Sequence, residues 1–215
     1  MDIVHPAIER YLEHLARYND EPVLLEMEQL AKDKGFPIVG RLCGRYLEMI
    51  ARSIGAKRIF ELGSGYGYSG YWFSRATGPD AEIHLTDGDA RNETLAMAFL
   101  SRAGLDKPIK YHVGDALEAL AKTEGDFDII YCDIDKAGYP DAWKMAKEKV
   151  RVGGYYMCDN MLWFGMVTGE SDATERQEGA TEAIKATNEM IASDPDWRSI
   201  INPTRDGVVT ALRIA

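Results

Sequence analysis

The sequence predicts an α/β protein: five parallel strands with helices on both faces, a closing C-terminal hairpin and an N-terminal helical extension. Three observations carry this. From Lys57 onward, short apolar, β-rich runs alternate with helix-compatible segments. The first run, R-I-F-E-L, stops at a glycine-rich turn, G-S-G-Y-G, that opens a helix. The chain closes on two β-rich runs separated by P-T-R-D-G, where Asp206-Gly207 is a turn signal.

The elements follow in order. Ile8, Leu12 and Leu15 make an apolar stripe on a first helix. Pro22 starts a second, with Leu24, Leu25, Met27 and Leu30, ending at Gly35. Phe36-Pro37-Ile38 is an extended break, and a third helix carries Leu42, Tyr46, Leu47 and Ile50 to about Gly55. Strands are expected at 57–62, 82–87, 109–113, 127–132 and 154–158. The helices between them are expected at 69–76, 91–103, from 115 and at 139–150. A long helix over 174–193 precedes the hairpin strands at 197–202 and 208–214, which makes seven strands in all. The reading is one domain, 1–215, with an extension at 1–55 and an α/β core at 56–215.

Composition excludes several classes. The chain has 215 residues, 46% of them hydrophobic, and a net charge of −10 from 35 acidic and 25 basic residues. No run of Lys or Arg offers the basic face that nucleic-acid binding needs. No apolar run reaches the roughly 20 residues of a membrane helix. Cys43, Cys132 and Cys158 are an odd number without C-x-x-C spacing, which suits a reducing compartment. The N-terminus shows no secretory pattern, so a cytoplasmic protein is expected.

In an open parallel sheet, ligands bind outside the carboxyl ends of the strands. Each parallel strand here ends in, or is followed by, an acid: Glu61, Asp87, Asp115, Asp133 and Asp159. Like charges converging on one rim need an offset, from ligand hydroxyls and amines or from a cation. The loop itself has three readings. Gly65, Gly67 and Gly70 fit the dinucleotide fingerprint G-x-G-x-x-G. Glu61, Gly63, Gly65 and Gly67 fit E-x-G-x-G-x-G, which resembles the first motif of S-adenosylmethionine (SAM) dependent methyltransferases. The third is a tight packing turn.

Asp87 suits ribose hydroxyls, and Asp115 suits an adenine amino group or a helix N-cap. Asp133, Asp159 and the Asn160 side-chain carbonyl put an oxygen triad just past strands 4 and 5. Oxygen-only ligation suits Mg²⁺ first, or Mn²⁺ or Ca²⁺. Cys132 and Cys158 read as small core residues. Trp163, Phe164, Met161 and Met166 are placed to form an apolar wall for an aromatic ring, or a packed lid.

These motifs together resemble the cation-dependent class I O-methyltransferases of the caffeoyl-CoA and catechol type. E-L-G-S-G-Y-G-Y-S, G-D-A, F-D-I-I-Y-C-D-I-D-K-A-G-Y, C-D-N-M-L-W and R-D-G-V-V-T-A-L-R carry the resemblance across nearly the whole chain. It implies a Rossmann-like methyltransferase sheet of seven strands and a homodimer through the helical extension. It implies metal ligation by Asp133, Asp159 and Asn160 and a catalytic Lys136, with Lys136 paired to Asp133 or Asp135 as the alternative. Glu61, Gly63, Ser64, Ser69, Asp87, Ala116 and Asp135 match positions that contact SAM, and Val39 matches the segment that closes over it. Asp133 adjoins the same cofactor rim. The chain departs from the plant-type D-N-x-L-W-N-G at Phe164, which points away from a CoA ester and toward a small catechol-like acceptor. An NAD-dependent oxidoreductase and a non-catalytic SAM-binding protein are the competing readings.

Overall fold

The computed structural model describes residues 3–16, 21–170 and 175–215. Three helices come first: α1 (Pro6–Ala16), α2 (Pro22–Lys34) and α3 (Gly40–Ser53). Alternation then runs β1 (Arg58–Leu62), α4 (Tyr68–Thr77), β2 (Glu82–Asp87), α5 (Ala90–Arg102), β3 (Ile109–Val113) and α6 (Ala116–Lys122). It continues with β4 (Phe127–Cys132), α7 (Tyr139–Lys149), β5 (Val150–Cys158) and α8 (Glu175–Ser193). The last strands are β6 (Trp197–Asn202) and β7 (Val208–Arg213). The expected start of the long helix at position 174 lies outside the described residues.

The seven strands form one sheet in the order β3-β2-β1-β4-β5-β7-β6. β1 to β5 are parallel. β7 runs antiparallel between β5 and β6. This is the Rossmann-like class I methyltransferase sheet, five parallel strands plus the hairpin. The order reverses at β1, between β2 and β4, so a crevice opens beyond the carboxyl ends of these strands.

Local chemistry explains the boundaries. Pro22 begins α2, where its missing N–H costs nothing, and Gly35 ends it at φ 60° with its N–H on the Lys32 carbonyl. Asp89 and Asp115 cap α5 and α6 by accepting backbone N–H bonds. β5 starts at Val150, earlier than Gly154 as expected from sequence. Its ladder with β4 shifts register between Phe127 and Ile129, and Gly153 at φ 78° lies inside the strand.

Two cores cover the sheet. Leu24, Met27, Cys43 and Leu47 of α2 and α3 pack with Tyr71, Trp72 and Phe73 of α4 on one face. Trp143 and Ala146 of α7 pack with Ile184 and Ile191 of α8 on the other. Cys132 and Cys158 are wholly buried in this second core, as expected. Ile8, Tyr11, Leu12 and Leu15 of α1 are exposed.

Gly63 shows what the loop demands. It sits at φ 83°, and a Cβ there would lie 2.4 Å from the Asp133 carbonyl oxygen. The three nearest atoms, in Asp133 and Ile134, are all backbone, so nothing flexible can yield. Gly63→Ala is expected to lower the unfolding free energy by about 2 kcal/mol or more, read by denaturant unfolding. An unchanged midpoint would show that this approach is not tight.

Candidate active site

The glycine loop is clamped to β2. Gly63 N–H donates to Thr86 Oγ1 at 3.0 Å, and that hydroxyl donates to the Glu61 carbonyl at 2.9 Å. Ser64 N–H donates to the Thr86 carbonyl at 2.6 Å, and Thr86 N–H returns to Ser64 Oγ at 3.0 Å. Tyr111 of β3 donates to the Gly65 carbonyl at 2.5 Å. Thr86 and Tyr111 escaped the sequence reading. Only their place on β2 and β3, on the side of β1 away from β4, reveals them.

A cavity of about 1000 Å³ opens above this loop. Every predicted site residue except Glu61, Gly67, Met161 and Met166 lines it. Gly63, Ser64, Gly65 and Ser69 form its floor, and Val39 reaches it from the α2–α3 connection. Asp87, Asp115 and Ala116 form one side. The Asp87 carboxylate accepts from Asp89 N–H at 2.8 Å and from the Asn92 amide at 2.9 Å. Asp115 caps α6 through Glu118 N–H at 2.8 Å and still faces the cavity, so its two roles coexist.

Gly67 and Glu61 stand off the cavity wall. Gly67 is the N-cap of α4 and faces α5, where a Cβ would come 3.0 Å from the Ala96 methyl. Glu61 lies one layer behind the floor, 1% exposed, because β1 is paired on both sides. Its carboxylate accepts from the Ser69 hydroxyl, and Oε2 is buried without a partner. Burial pushes its pKa up to about 8 against the pull of the Ser69 and Ser64 hydroxyls. An orphaned carboxylate oxygen behind the loop suits a ligand that brings donors, such as an ammonium group.

The other half of the cavity lies past β4 and β5. Cys132 pairs with Cys158, which sets the two following aspartates on adjacent strand ends. Asp159 N–H donates to the Cys132 carbonyl at 3.0 Å. The Asp159 side chain is 2% exposed and accepts from Asn160 N–H at 2.9 Å. Burial and then the Asp133 charge push its pKa up to about 7. Lys136 donates to Asp133 at 2.9 Å and to the Ile134 carbonyl at 3.2 Å. Burial pulls the Lys136 pKa down, but Asp133 outweighs it and leaves the ammonium held above its ordinary value. The salt-bridge alternative for Lys136 is therefore what the structure displays.

A strap from the β6–β7 turn fixes this corner. Met161 N–H and Leu162 N–H donate to the Gly207 and Asp206 carbonyls, both at 2.9 Å. The Asp206 carboxylate accepts from Phe164 N–H at 2.5 Å and from the Asn160 amide at 3.3 Å. With its NH₂ on Asp206, the Asn160 side chain keeps its carbonyl oxygen as the remaining donor atom for a cation. Asn160, Trp163 and Phe164 all take positive φ, at 60°, 45° and 53°, a cluster of strained backbone at the site. Trp163 and Phe164 line the cavity as expected. Met161 does not: it is wholly buried in the α7–α8 core, and Met166 is also outside the lining, because the 163–168 stretch coils into a 3₁₀ turn.

Among the described residues, no group of three or more His, Cys, Asp or Glu side chains converges to hold a metal. The oxygen set here has two carboxylates and an amide. It fits a hard divalent cation, because two neighbouring carboxylates, one of them buried, call for positive charge. Arg205 and Asp206 belong in the sequence to a turn and to a motif of the resemblance, with no site role attached. D-G marks the turn, but its landing beside Asn160 depends on β7 pairing with β5.

A glycine-loop cavity beside a carboxylate–amide corner, on this sheet, defines a class I methyltransferase site. The comparisons agree. The model of the O-methyltransferase family matches residues 14–214. Caffeoyl-CoA O-methyltransferase 2 of Populus trichocarpa is 30% identical over 97% of this chain and 89% of its own length. A catechol O-methyltransferase of Niastella koreensis is 28% identical over 82% of each. Among solved structures, an O-methyltransferase of tomaymycin synthesis from Streptomyces achromogenes, in complex with SAM, is 26% identical with a TM-score of 0.83, covering 97% of this chain and 96% of that one. A methyltransferase from Geobacter sulfurreducens is 26% identical with a TM-score of 0.84 over 100% of both chains. The chain belongs to the O-methyltransferase family. No helix among the described residues is long and apolar enough to cross a membrane.

The raised Glu61 carboxyl makes stability depend on pH. The folded state binds its proton up to about pH 8, whereas the unfolded chain releases it near the ordinary 4.5. Stability therefore falls as pH rises through that window. Melting of the ligand-free protein from about pH 5 to about pH 8 should show this fall, and Glu61→Gln should flatten part of it. The same slope in both proteins would mean that Glu61 is charged when folded.

Proposed function

We propose that the chain transfers a methyl group from SAM to one hydroxyl of a small vicinal-dihydroxy aromatic, with a divalent cation at Asp133, Asp159 and Asn160. The observation that carries this is the corner itself: adjacent carboxylates on neighbouring strand ends and an Asn160 amide whose NH₂ is taken up by Asp206. The SAM complex of the Streptomyces relative supports the donor. The relatives named for caffeoyl-CoA and catechol support a phenolic acceptor. Phe164, half exposed at the cavity wall, favours the smaller ring.

In this reading, Gly63, Ser64, Gly65 and Ser69 cradle the amino-acid end of SAM, with Glu61 behind them as a charge partner. Asp87 accepts from the ribose hydroxyls, Asp115 and Ala116 flank the adenine, and Val39 and Asp135 close the rim. A divalent cation, when bound, supplies Lewis acidity that lowers the pKa of a catechol hydroxyl. Trp163 and Phe164 hold the ring against this corner and exclude water. Lys136 takes the phenol proton from its neutral form. In the structure Asp133 keeps Lys136 charged, so the base emerges only when that carboxylate is committed elsewhere. The phenol oxygen gains the methyl carbon as the carbon–sulfur bond breaks, and the proton leaves on Lys136 Nζ.

Labelled SAM with a panel of vicinal diols, in Mg²⁺ and in chelator, tests the reading. Transfer should require the cation. Asp159→Ala should lose it while SAM binding survives. Lys136→Ala should cut turnover by about 10²- to 10⁴-fold with little change in KM. Full activity in chelator would remove the cation from the mechanism.

A further inference from the structure

The cavity is electrostatically one-sided. Asp87, Asp115, Asp133, Asp135 and Asp159 line it, against two cations, Lys136 and Arg205. Lys136 is hydrogen-bonded to Asp133 at 2.9 Å. Arg205 differs. Its nearest carboxylate oxygen is Asp159 Oδ2, 4.0 Å from Nη1, at the outer limit of an ion pair, and its side chain is 34% exposed. Among the described residues it is the one cation on this wall with no hydrogen bond to a carboxylate.

Arg205 is also held in a costly place. Its φ is 53°, in the left-handed region that glycine occupies freely and an arginine does not. The stem runs against Gly40 at the start of α3, where a Cβ would lie 3.6 Å from Arg205 Cδ. The next residue, Asp206, fixes Asn160 and Phe164. The guanidinium is therefore positioned by the same turn that positions the corner, and strain of this kind points to a use.

Resting on the methyl-transfer reading above, we propose that Arg205 determines specificity by binding a carboxylate carried on the aromatic ring of the acceptor. A guanidinium presents a planar fork that matches a carboxylate in two parallel hydrogen bonds. Asp159 is a poor competitor for it, being 4.0 Å away and one of the oxygens assigned to the cation. Elsewhere in the cavity an anionic substituent meets aspartates, so the ring has one acceptable orientation. With the ring anchored at Arg205, one particular hydroxyl of the pair faces the methyl donor. Arg205 then sets regiochemistry as well as acceptor choice.

The test compares 3,4-dihydroxybenzoate with its neutral isostere 3,4-dihydroxybenzamide, in the wild type, Arg205→Gly and Arg205→Lys. Arg205→Gly suits φ 53°, so it removes the charge without harming the turn. The wild type should favour the carboxylate in kcat/KM by at least about tenfold, and Arg205→Gly should bring that ratio near one. Arg205→Lys should keep part of the preference, and the ratio of the two methylated positions should relax only in Arg205→Gly. Calorimetry should show 3,4-dihydroxybenzoate binding weakened in Arg205→Gly more than the amide. An equal carboxylate-to-amide ratio in wild type and Arg205→Gly overturns the inference, as does binding independent of Arg205. If the wild type methylates neither diol yet binds the carboxylate through Arg205, the methyl-transfer reading fails, the roles in acceptor choice and regiochemistry fall with it, and only carboxylate binding at Arg205 stands.

Discussion

A carboxylate 2% exposed beside a second carboxylate is the constraint on which the rest of this structure turns. Burial alone disfavours the Asp159 charge, and Asp133 disfavours it further. Hydrophobic packing cannot relieve this. Relief has to come from protonation or from a cation, and the surroundings make partial provision: Asn160 N–H at 2.9 Å, a guanidinium at 4.0 Å and the charge of Lys136. The sheet enforces the arrangement. β4 and β5 are neighbours in parallel register, so the residues after Cys132 and Cys158 emerge side by side.

The second dependence is the strap. Residues 160–164 hold three non-glycine positive φ angles, each costing on the order of 1–3 kcal/mol. Two backbone bonds to residues 206 and 207 and two bonds to the Asp206 carboxylate offset that cost. The terminal hairpin thus does more than close the sheet. By inserting β7 beside β5, it delivers Arg205 and Asp206 to the corner, beside Asp159 and Asn160. The glycine loop plays the matching part at β1, where Thr86 ties it to β2 and leaves its floor facing the same cavity. The glycine loop and the carboxylate corner meet because β1 and β4 are adjacent at the reversal of strand order.

Much of this could be read from residues in sequence. The alternation of apolar runs and helices, the glycine turn after Leu62 and the D-G turn at 206–207 are local signals, and they located the strands and the acids at their ends. What escaped depends on distant pairing. Glu61 looked like a rim residue, but pairing on both sides of β1 buries it behind Ser69. Met161 looked like part of an aromatic-binding wall, but the left-handed turn at Asn160 sends it into the core. Arg205 and Asp206 stood in a turn and a motif of the resemblance but not in a site, since their place beside Asp159 and Asn160 arises from a hairpin folding back across the sheet. Phe164 in a left-handed conformation contradicts its own propensity, and the bond from its N–H to Asp206 helps to hold it there.

Mn²⁺ binding followed by electron paramagnetic resonance, in the wild type and in Asp206→Ala, tests the central claim most directly. Asp206 touches no proposed cation, yet it orients Asn160. The account predicts tight Mn²⁺ binding by the wild type, and an affinity about 10- to 100-fold weaker in Asp206→Ala with SAM binding retained. Equal Mn²⁺ affinity in the two proteins, or none in either, would contradict it.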